Sequence, residues 1–485
     1  MPSSIELNVG HGPSPRRQRP DDDGDDGGAF RIVVLGDFSG RPRAERGPLA
    51  ERRPLRVDID NVEAVFARLA PLAEIGGLQD KLGVTLRIKL ETMEEFSADA
   101  ILARLPAQAL GCAATPAPAA AMPTPAAHAG QPEDAAALMQ RLLGGSVPAG
   151  SPAAAPAPAA PKADAAVDRF IRQLVGAAAT PAPSAPAAPA HGSDETAAAL
   201  LRHVLRDPSW RAVECAWRAV DRFVRTLDMA DGQVRLELLD CRADELLADL
   251  GAHAAEPARS AIAPALAGDG RGCDIVVSLE EFGPSVVELS LLGGLAAAAA
   301  RQGAVLLAGA APALAAIAAS DDAQVLATSE SKVWRALRES ALAPSIGISF
   351  PRLLARLPYG PRNEPVAAFA FDELAGATPA TLHDHLVWRS AALDVALLLA
   401  QGHAQGTGIE SVVQLDDLPA FIDRLGDEPR LQAVAEAYLG ERDASTLGGA
   451  GLMVLQSDRR VPEARLGAWR SIAADGAPLQ GSWRR

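Results

Sequence analysis

Ser209-Trp-Arg-Ala-Val-Glu-Cys-Ala-Trp-Arg-Ala-Val-Asp-Arg-Phe-Val224 is the stretch from which the rest of the chain is best read. Asp207 and Pro208 stand just ahead of it. An aspartate can accept from the first free N–H groups of a helix, and a proline has its φ already set for the first helical position. Trp210, Val213, Trp217, Val220, Val224 and Leu227 then recur at spacings of three and four. That spacing draws one apolar stripe along a helix. Two indoles on one stripe bury a large area, so this helix is expected to anchor a core.

Composition narrows the possibilities further. At 485 residues the chain is long enough for more than one core, with about two to four domains as the prior. The formal net charge of -15 and an aromatic content of 4% argue against nucleic acid or an anionic membrane surface as partner, since both need clustered cations. Arginines gather at 16–19, 41–53 and 352–362, but acids offset them. Cys112, Cys215, Cys241 and Cys273 form no Cys-x-x-Cys pair and read as free thiols of a reducing compartment. Met-Pro-Ser-Ser-Ile-Glu at the start carries no apolar run, so no signal peptide is expected. The stretches 285–299 and 303–319 are Ala/Gly-rich and interrupted by Glu288, Arg301 and Gln302, short of a membrane span. A cytoplasmic protein without membrane insertion is the expectation.

Four zones follow along the chain. Residues 1–28 hold the acidic run Asp21–Asp26 and read as a disordered tail. Residues 29–110 read as a compact α/β domain. Phe30–Leu35 is a strand entering the turn Gly36-Asp37-Phe38-Ser39-Gly40, Leu55–Asp60 alternates as a strand, and Asn61 is placed to cap a helix over Val62–Leu69. Val84–Leu90 alternates cleanly, and Ser97 can cap a helix through Leu105. Residues 111–192 are an Ala/Pro-rich linker. Two islands in it, 133–143 and 163–175, read as short helices. Ala166, Val167, Phe170, Ile171 and Leu174 of the second share one face, the spacing of a helix that docks in a partner groove. Residues 193–485 form the larger part. Its expected strands are Gln233–Leu239, Asp274–Leu279 and Ala304–Ala308, and its expected helices 284–301, Ser329–Ala341, Pro351–Leu357, Leu386–Gln405 and Leu431–Leu439. Strand–helix–strand order makes the fold class α/β, with mixed α+β character: two α/β parts joined by a long linker.

A search for chemistry returns little. No Gly-x-Gly-x-x-Gly turn and no phosphate-binding loop occurs, so no cofactor is expected; the glycines of 292–296 and 307–311 suit close helix packing instead. His383 and His385 diverge on a helix and have no third ligand nearby, so no metal is expected. The pairs Glu94-Glu95 and Glu280-Glu281 are adjacent in sequence and are expected on solvated faces. Nothing forms a catalytic constellation, and no enzyme is expected.

Motifs give a more specific reading. Val34-Leu-Gly-Asp-Phe-Ser-Gly-Arg-Pro, Val57-Asp-Ile-Asp-Asn-Val-Glu-Ala-Val-Phe-Ala-Arg-Leu-Ala-Pro and Leu90-Glu-Thr-Met-Glu-Glu-Phe-Ser-Ala-Asp-Ala resemble the small subunit of the type VI secretion contractile sheath. The tryptophan helix, Lys332-Val-Trp-Arg-Ala-Leu-Arg-Glu-Ser and Ile346-Gly-Ile-Ser-Phe-Pro-Arg-Leu-Leu-Ala-Arg-Leu-Pro-Tyr-Gly resemble the large subunit. The resemblance marks Gly36, Asp37, Glu214, Trp217, Arg218, Trp334, Pro351, Arg352, Arg356 and Tyr359 as structural motif residues. It implies a contractile-sheath-like fold and a natural fusion of the two subunits. The implied partners are other sheath subunits, the inner tube protein, the baseplate and the sheath-recycling ATPase, the last through the helix of 163–175. Two departures stand out. Ile409–Leu418 lacks the family's Gly-rich region, and the sequence to Arg485 carries no counterpart of the last strands that the family exchanges between neighbours. The alternative is therefore an accessory sheath-like protein that binds the sheath end or baseplate without polymerising.

Overall fold

The computed structural model describes residues 28–77, 86–105 and 192–484, apart from 255, 379–380, 421, 424–429, 433 and 459. The helix face Ala166, Val167, Phe170, Ile171 and Leu174 lies outside the described residues.

The N-terminal segment supplies β1 (Phe30–Gly36), β2 (Leu55–Val57), α1 (Val62–Leu69), β3 (Leu72–Ile75), β4 (Leu86–Lys89) and α2 (Ala98–Arg104). After 192 come α3 (Gly192–Arg206), α4 (Pro208–Thr226), β5 (Val234–Asp240), α5 (Ala243–Ala252), α6 (Ala263–Ala267), β6 (Ile275–Phe282), α7 (Val286–Arg301), β7 (Val305–Ala310), α8 (Pro312–Ala318), α9 (Ala323–Leu326) and α10 (Ser329–Arg338). The remainder is β8 (Ile346–Phe350), β9 (Leu353–Leu354), α11 (Leu382–His385), β10 (Trp388–Arg389), α12 (Ala392–Ala404), β11 (Gln414–Leu415), β12 (Ile422–Asp423), β13 (Arg430–Leu431), α13 (Glu441–Gly449), β14 (Leu452–Ser457) and β15 (Ala464–Leu466).

Nine of these strands, among the described residues, form one sheet in the order β11-β15-β14-β8-β7-β6-β1-β5-β2. Its centre is parallel, from β14 through β5, and antiparallel strands close both edges. β1 sits inside it, in register with β5 from Phe30↔Val234 to Gly36↔Asp240 and with β6 from Ile32↔Ile275 to Leu35↔Ser278. All seven of its residues are buried, as a strand covered on both faces requires. Ile32 and Val34 point into the layer containing α4 and α12, while Val33 and Leu35 point into the layer containing α5, α7, α10 and α13. The strand order reverses at β1, because β5 flanks it on one side and β6 on the other. The crevice at the carboxyl ends of β1 and β6 is therefore a topological switch point, where open α/β sheets place their clefts.

The tryptophan helix forms as its sequence dictates. The Asp207 carboxylate accepts from Ser209 N and Trp210 N, and Pro208 occupies the first turn. Ser97 caps α2 through Ala100 N, and Ser285 forms a capping box with Glu288 at the start of α7. Asn61 stands at the N-cap of α1 but does not cap it, because its Oδ1 accepts from Asp58 N instead.

Three expected helices are corrected. Pro351–Leu357 is extended: Leu353 and Leu354 pair with β10, and Ala355 N donates to Val387 O. Leu431–Leu439 is not helical either; Ala435 bridges Leu353, and Glu436 N donates to Arg352 O. The helix expected from Leu386 begins only at Ala392, since 388–389 form β10. Short apolar runs do not distinguish buried strand from helix, and tertiary pairing decided each case.

Candidate functional site

The joint between the N-terminal segment and the tryptophan helix gathers most of the motif residues. Trp217 is fully buried, with its ring 5.7 Å from Phe38 and 4.7 Å from Phe66, both edge-on. Phe96 continues the cluster, 5.8 Å from Phe66 and 5.6 Å from Trp210. The N-terminal segment thus supplies three rings and α4 supplies two. The Trp217 indole N–H donates to Phe38 O at 2.9 Å, a buried bond across the joint. Gly36 ends β1 and lets Leu279 of β6 lie against its backbone. Four residues on, Gly40 has φ +59, and a Cβ there would meet Leu72 O at 2.1 Å, so only glycine fits this turn.

A buried ion network adjoins the rings. The Glu214 carboxylate, with no exposed surface, accepts from Arg218 Nε at 2.8 Å and from Arg356 Nε at 2.8 Å. Burial works against its ionised form, yet Arg356 and Arg218 hold its pKa below the usual range. Arg356 also makes a two-pronged contact with Glu373, at 2.7 and 2.9 Å, and lies 4.4 Å over the Tyr359 ring. Burial would discharge this guanidinium, but Glu214 and Glu373 keep it charged. Tyr359 N donates to Glu373 at 2.8 Å and Tyr359 OH to Phe96 O at 3.0 Å. One chain of contacts therefore runs from α4 through the 356–359 loop to the N-terminal segment.

The arginine-rich stretch 41–53 straps the far end of β1. Arg46 pairs with Asp37 and, at 3.2 Å, with Asp240; Arg52 contacts Glu245 at 2.7 and 2.8 Å and Asp240 O at 2.9 Å. Asp37 also accepts from Gly40 N at 2.7 Å. Its pKa is raised, because burial and the nearby Asp240 outweigh Arg46.

At the switch point lies a cleft of about 570 Å³, lined by Asp37, Arg211, Cys215, Glu280, Glu281, Arg352, His383, Trp388 and Arg389 among others. Arg352 grips Glu436 at 2.7 and 2.5 Å and reaches Glu281 at 3.2 Å. Burial pushes the Cys215 thiol up to about 12, so it is no thiolate nucleophile near neutrality. Among the described residues, no group of three or more His, Cys, Asp or Glu is placed to hold a metal ion.

Of the expected motif residues, Glu214, Trp217, Arg218, Arg356 and Tyr359 converge on the joint. Gly36 and Asp37 lie at its edge, and Arg352 faces the cleft. Pro351 follows β8 beside Arg352, while Trp334 is buried in the opposite layer, away from the rest. The expectation that Glu280 and Glu281 sit on solvated faces is corrected, since both are only partly exposed, in the wall of the cleft.

Residues 192–472 match the family model described as EvpB/VC_A0108, tail sheath N-terminal domain, and so more than half of the chain. The chain belongs to the type VI tail sheath family. Residues 28–109 match a second model, described as Type VI secretion system, VipA, VC_A0107 or Hcp2. The type VI secretion system sheath protein TssC1 of Pseudomonas aeruginosa is 25% identical over 285 residues, which are 54% of this chain and 56% of that relative. The chain thus spans about half the length of this relative. Among the described residues, no helix is long and apolar enough to cross a membrane.

Sequence motifs flagged the arginines and one of their partners, Glu214, but not the others. Glu373 and Glu436 lie in no recognised motif, and only the rule that a buried guanidinium needs a carboxylate could have called for them.

Proposed function

We propose that this chain is a fused small and large sheath subunit that assembles with other sheath subunits around the inner tube. The observation that carries the reading is the placement of β1. A strand from the residues matched by the VipA model pairs on both edges with strands from the residues matched by the tail sheath model. Covalent linkage enforces one-to-one pairing of the two segments.

In this reading the protein works in the cytoplasm, with the inner tube protein and the baseplate as further partners. The segment 163–175 is the contact for the recycling ATPase. The chain then divides into a tail of 1–28, a small-subunit-like part of 29–110, a linker of 111–192 and a large-subunit-like part of 193–485. Electron microscopy of the purified protein, alone and mixed with separate small and large sheath subunits, tests the proposal. Tubes that contain the chain support it. A chain that neither forms tubes nor enters them is an accessory protein of the sheath end or baseplate.

A further inference from the structure

Arg352 is shared between two carboxylates on one wall of the cleft. Its Nε and Nη2 donate to Glu436 at 2.7 and 2.5 Å, and its Nη1 donates to Glu281 at 3.2 Å. Glu436 has a second partner, the His383 Nε2 at 2.9 Å. The His383 ring stacks on Trp388 at 5.6 Å, and the Trp388 indole N–H donates to His383 O at 3.0 Å, which fixes the imidazole in place. Four separate pieces of chain meet here: the end of β6, the stretch after β8, α11 and the extended segment around Glu436. Backbone bonds run beside the cluster, from Glu436 N to Arg352 O and from Leu354 N to Val434 O, both at 2.8 Å.

We propose that this cluster is a pH-dependent latch on the cleft wall, closed while His383 carries its proton and Glu281 is neutral, and loosened as both lose them. In the protonated state two cations, Arg352 and His383, face one carboxylate. After both deprotonations one cation faces two carboxylates, and Glu436 has lost its imidazolium partner. Burial raises Glu281 to about 7, with Glu436 adding to the rise and Arg352 opposing it. Burial disfavours the His383 cation, but Glu436 outweighs this and lifts the imidazole above its usual value. A raised folded-state pKa places the stability below that pKa in both cases, and it is lost as pH rises.

The surrounding charges leave this balance intact. Asp384 is 3.4 Å from His383 Nδ1 and also favours the imidazolium. Glu280, on the same strand, raises the Glu281 pKa further. Arg389 is committed to Asp394, Arg211 donates to the Asp384 and His385 carbonyls, and Asp37 is held by Arg46. Cys215 stays a thiol across this range.

Hydrogen–deuterium exchange on the full chain tests the latch. After correction for intrinsic rates, the Leu354 and Glu436 amides should exchange at least about tenfold faster at about pH 8 than at about pH 6, since each linked proton changes the opening equilibrium about tenfold per pH unit over which it is lost. Amides of α4 should not change. The double variant Glu281→Gln with His383→Gln should lose the pH dependence. Rates within about twofold in the unmodified chain, or the same dependence in the double variant, would overturn the proposal. If that variant does not fold, NMR titration of His383 in the unmodified chain decides. A midpoint below the ordinary value of about 6.5 overturns the latch.

Discussion

Replacing Trp217 by alanine should cost about 4–6 kcal/mol. The ring is fully buried against Phe38 and Phe66, and its removal leaves a void in the core between the two segments. Truncating a buried tryptophan costs about 3–5 kcal/mol through lost transfer energy and the remaining cavity. The Phe38 carbonyl also loses its indole donor, worth about 1 kcal/mol more. Against a typical stability of about 5–15 kcal/mol this is a large fraction, so the variant should be mostly unfolded at modest denaturant. Urea titration followed by far-ultraviolet circular dichroism measures it. Trp217→Phe separates the two contributions, since it keeps an aromatic ring and deletes the bond. A loss under about 1 kcal/mol for the alanine variant would refute the reasoning, because no fully buried tryptophan is removed so cheaply.

Arg356→Met should destabilise by about 3–5 kcal/mol, since it leaves the buried Glu373 without its cation and Glu214 with Arg218 alone; a urea midpoint unchanged from the parent would contradict that. Replacing residues 106–191 by a short Gly/Ser bridge should leave the fold intact, because α2 and α3, which flank this stretch, pack together; loss of the cooperative melt would show that the stretch is needed. The Glu436 carboxylate is buried, which works against its ionised form, but Arg352 and His383 lower its pKa to about 2. Its contribution is therefore complete above the unfolded value of about 4.3 and disappears as pH falls through about 2. The acid limb of a stability-versus-pH curve should be shallower in Glu436→Gln, and an identical limb would contradict the pairing.

Local rules read the regular elements well. Asp207-Pro208 set the start of α4, the apolar run 30–35 and the alternation in 234–239 set two central strands, and Ser97 set α2. They failed where a few residues take their conformation from distant partners. Arg352 and Arg356 lie four apart, as on one helix face, yet each is drawn to a different acid: Arg352 to Glu436 and Glu281, Arg356 to Glu214 and Glu373. The spacing of charges carries no record of a partner tens to hundreds of residues away. The same applies to Glu281, whose neighbour Glu280 made the pair look like a wet surface. Motif resemblance located the arginines and the tyrosine of the joint. The aromatic pairing of Phe38, Phe66 and Phe96 with α4 was invisible without coordinates.

The position of β1 has a consequence for how the two segments depend on each other. Without residues 28–105, β5 and β6 would each present an unpaired parallel edge in the middle of the sheet, and apolar residues of both layers would lose their cover. Exposed edges of that kind pair with whatever strand is available. The N-terminal segment is no better placed alone: β1 is apolar on both faces, and the segment's own β3–β4 hairpin does not pair with it. Neither segment holds a complete core, because the Trp217 and Tyr359 hydrogen bonds both end on carbonyls of the N-terminal segment. Expressed separately, the two should be insoluble or unfolded, and together they should copurify and melt as one unit. Two halves that each fold and never associate would remove the physical basis for treating this chain as one sheath subunit built from two.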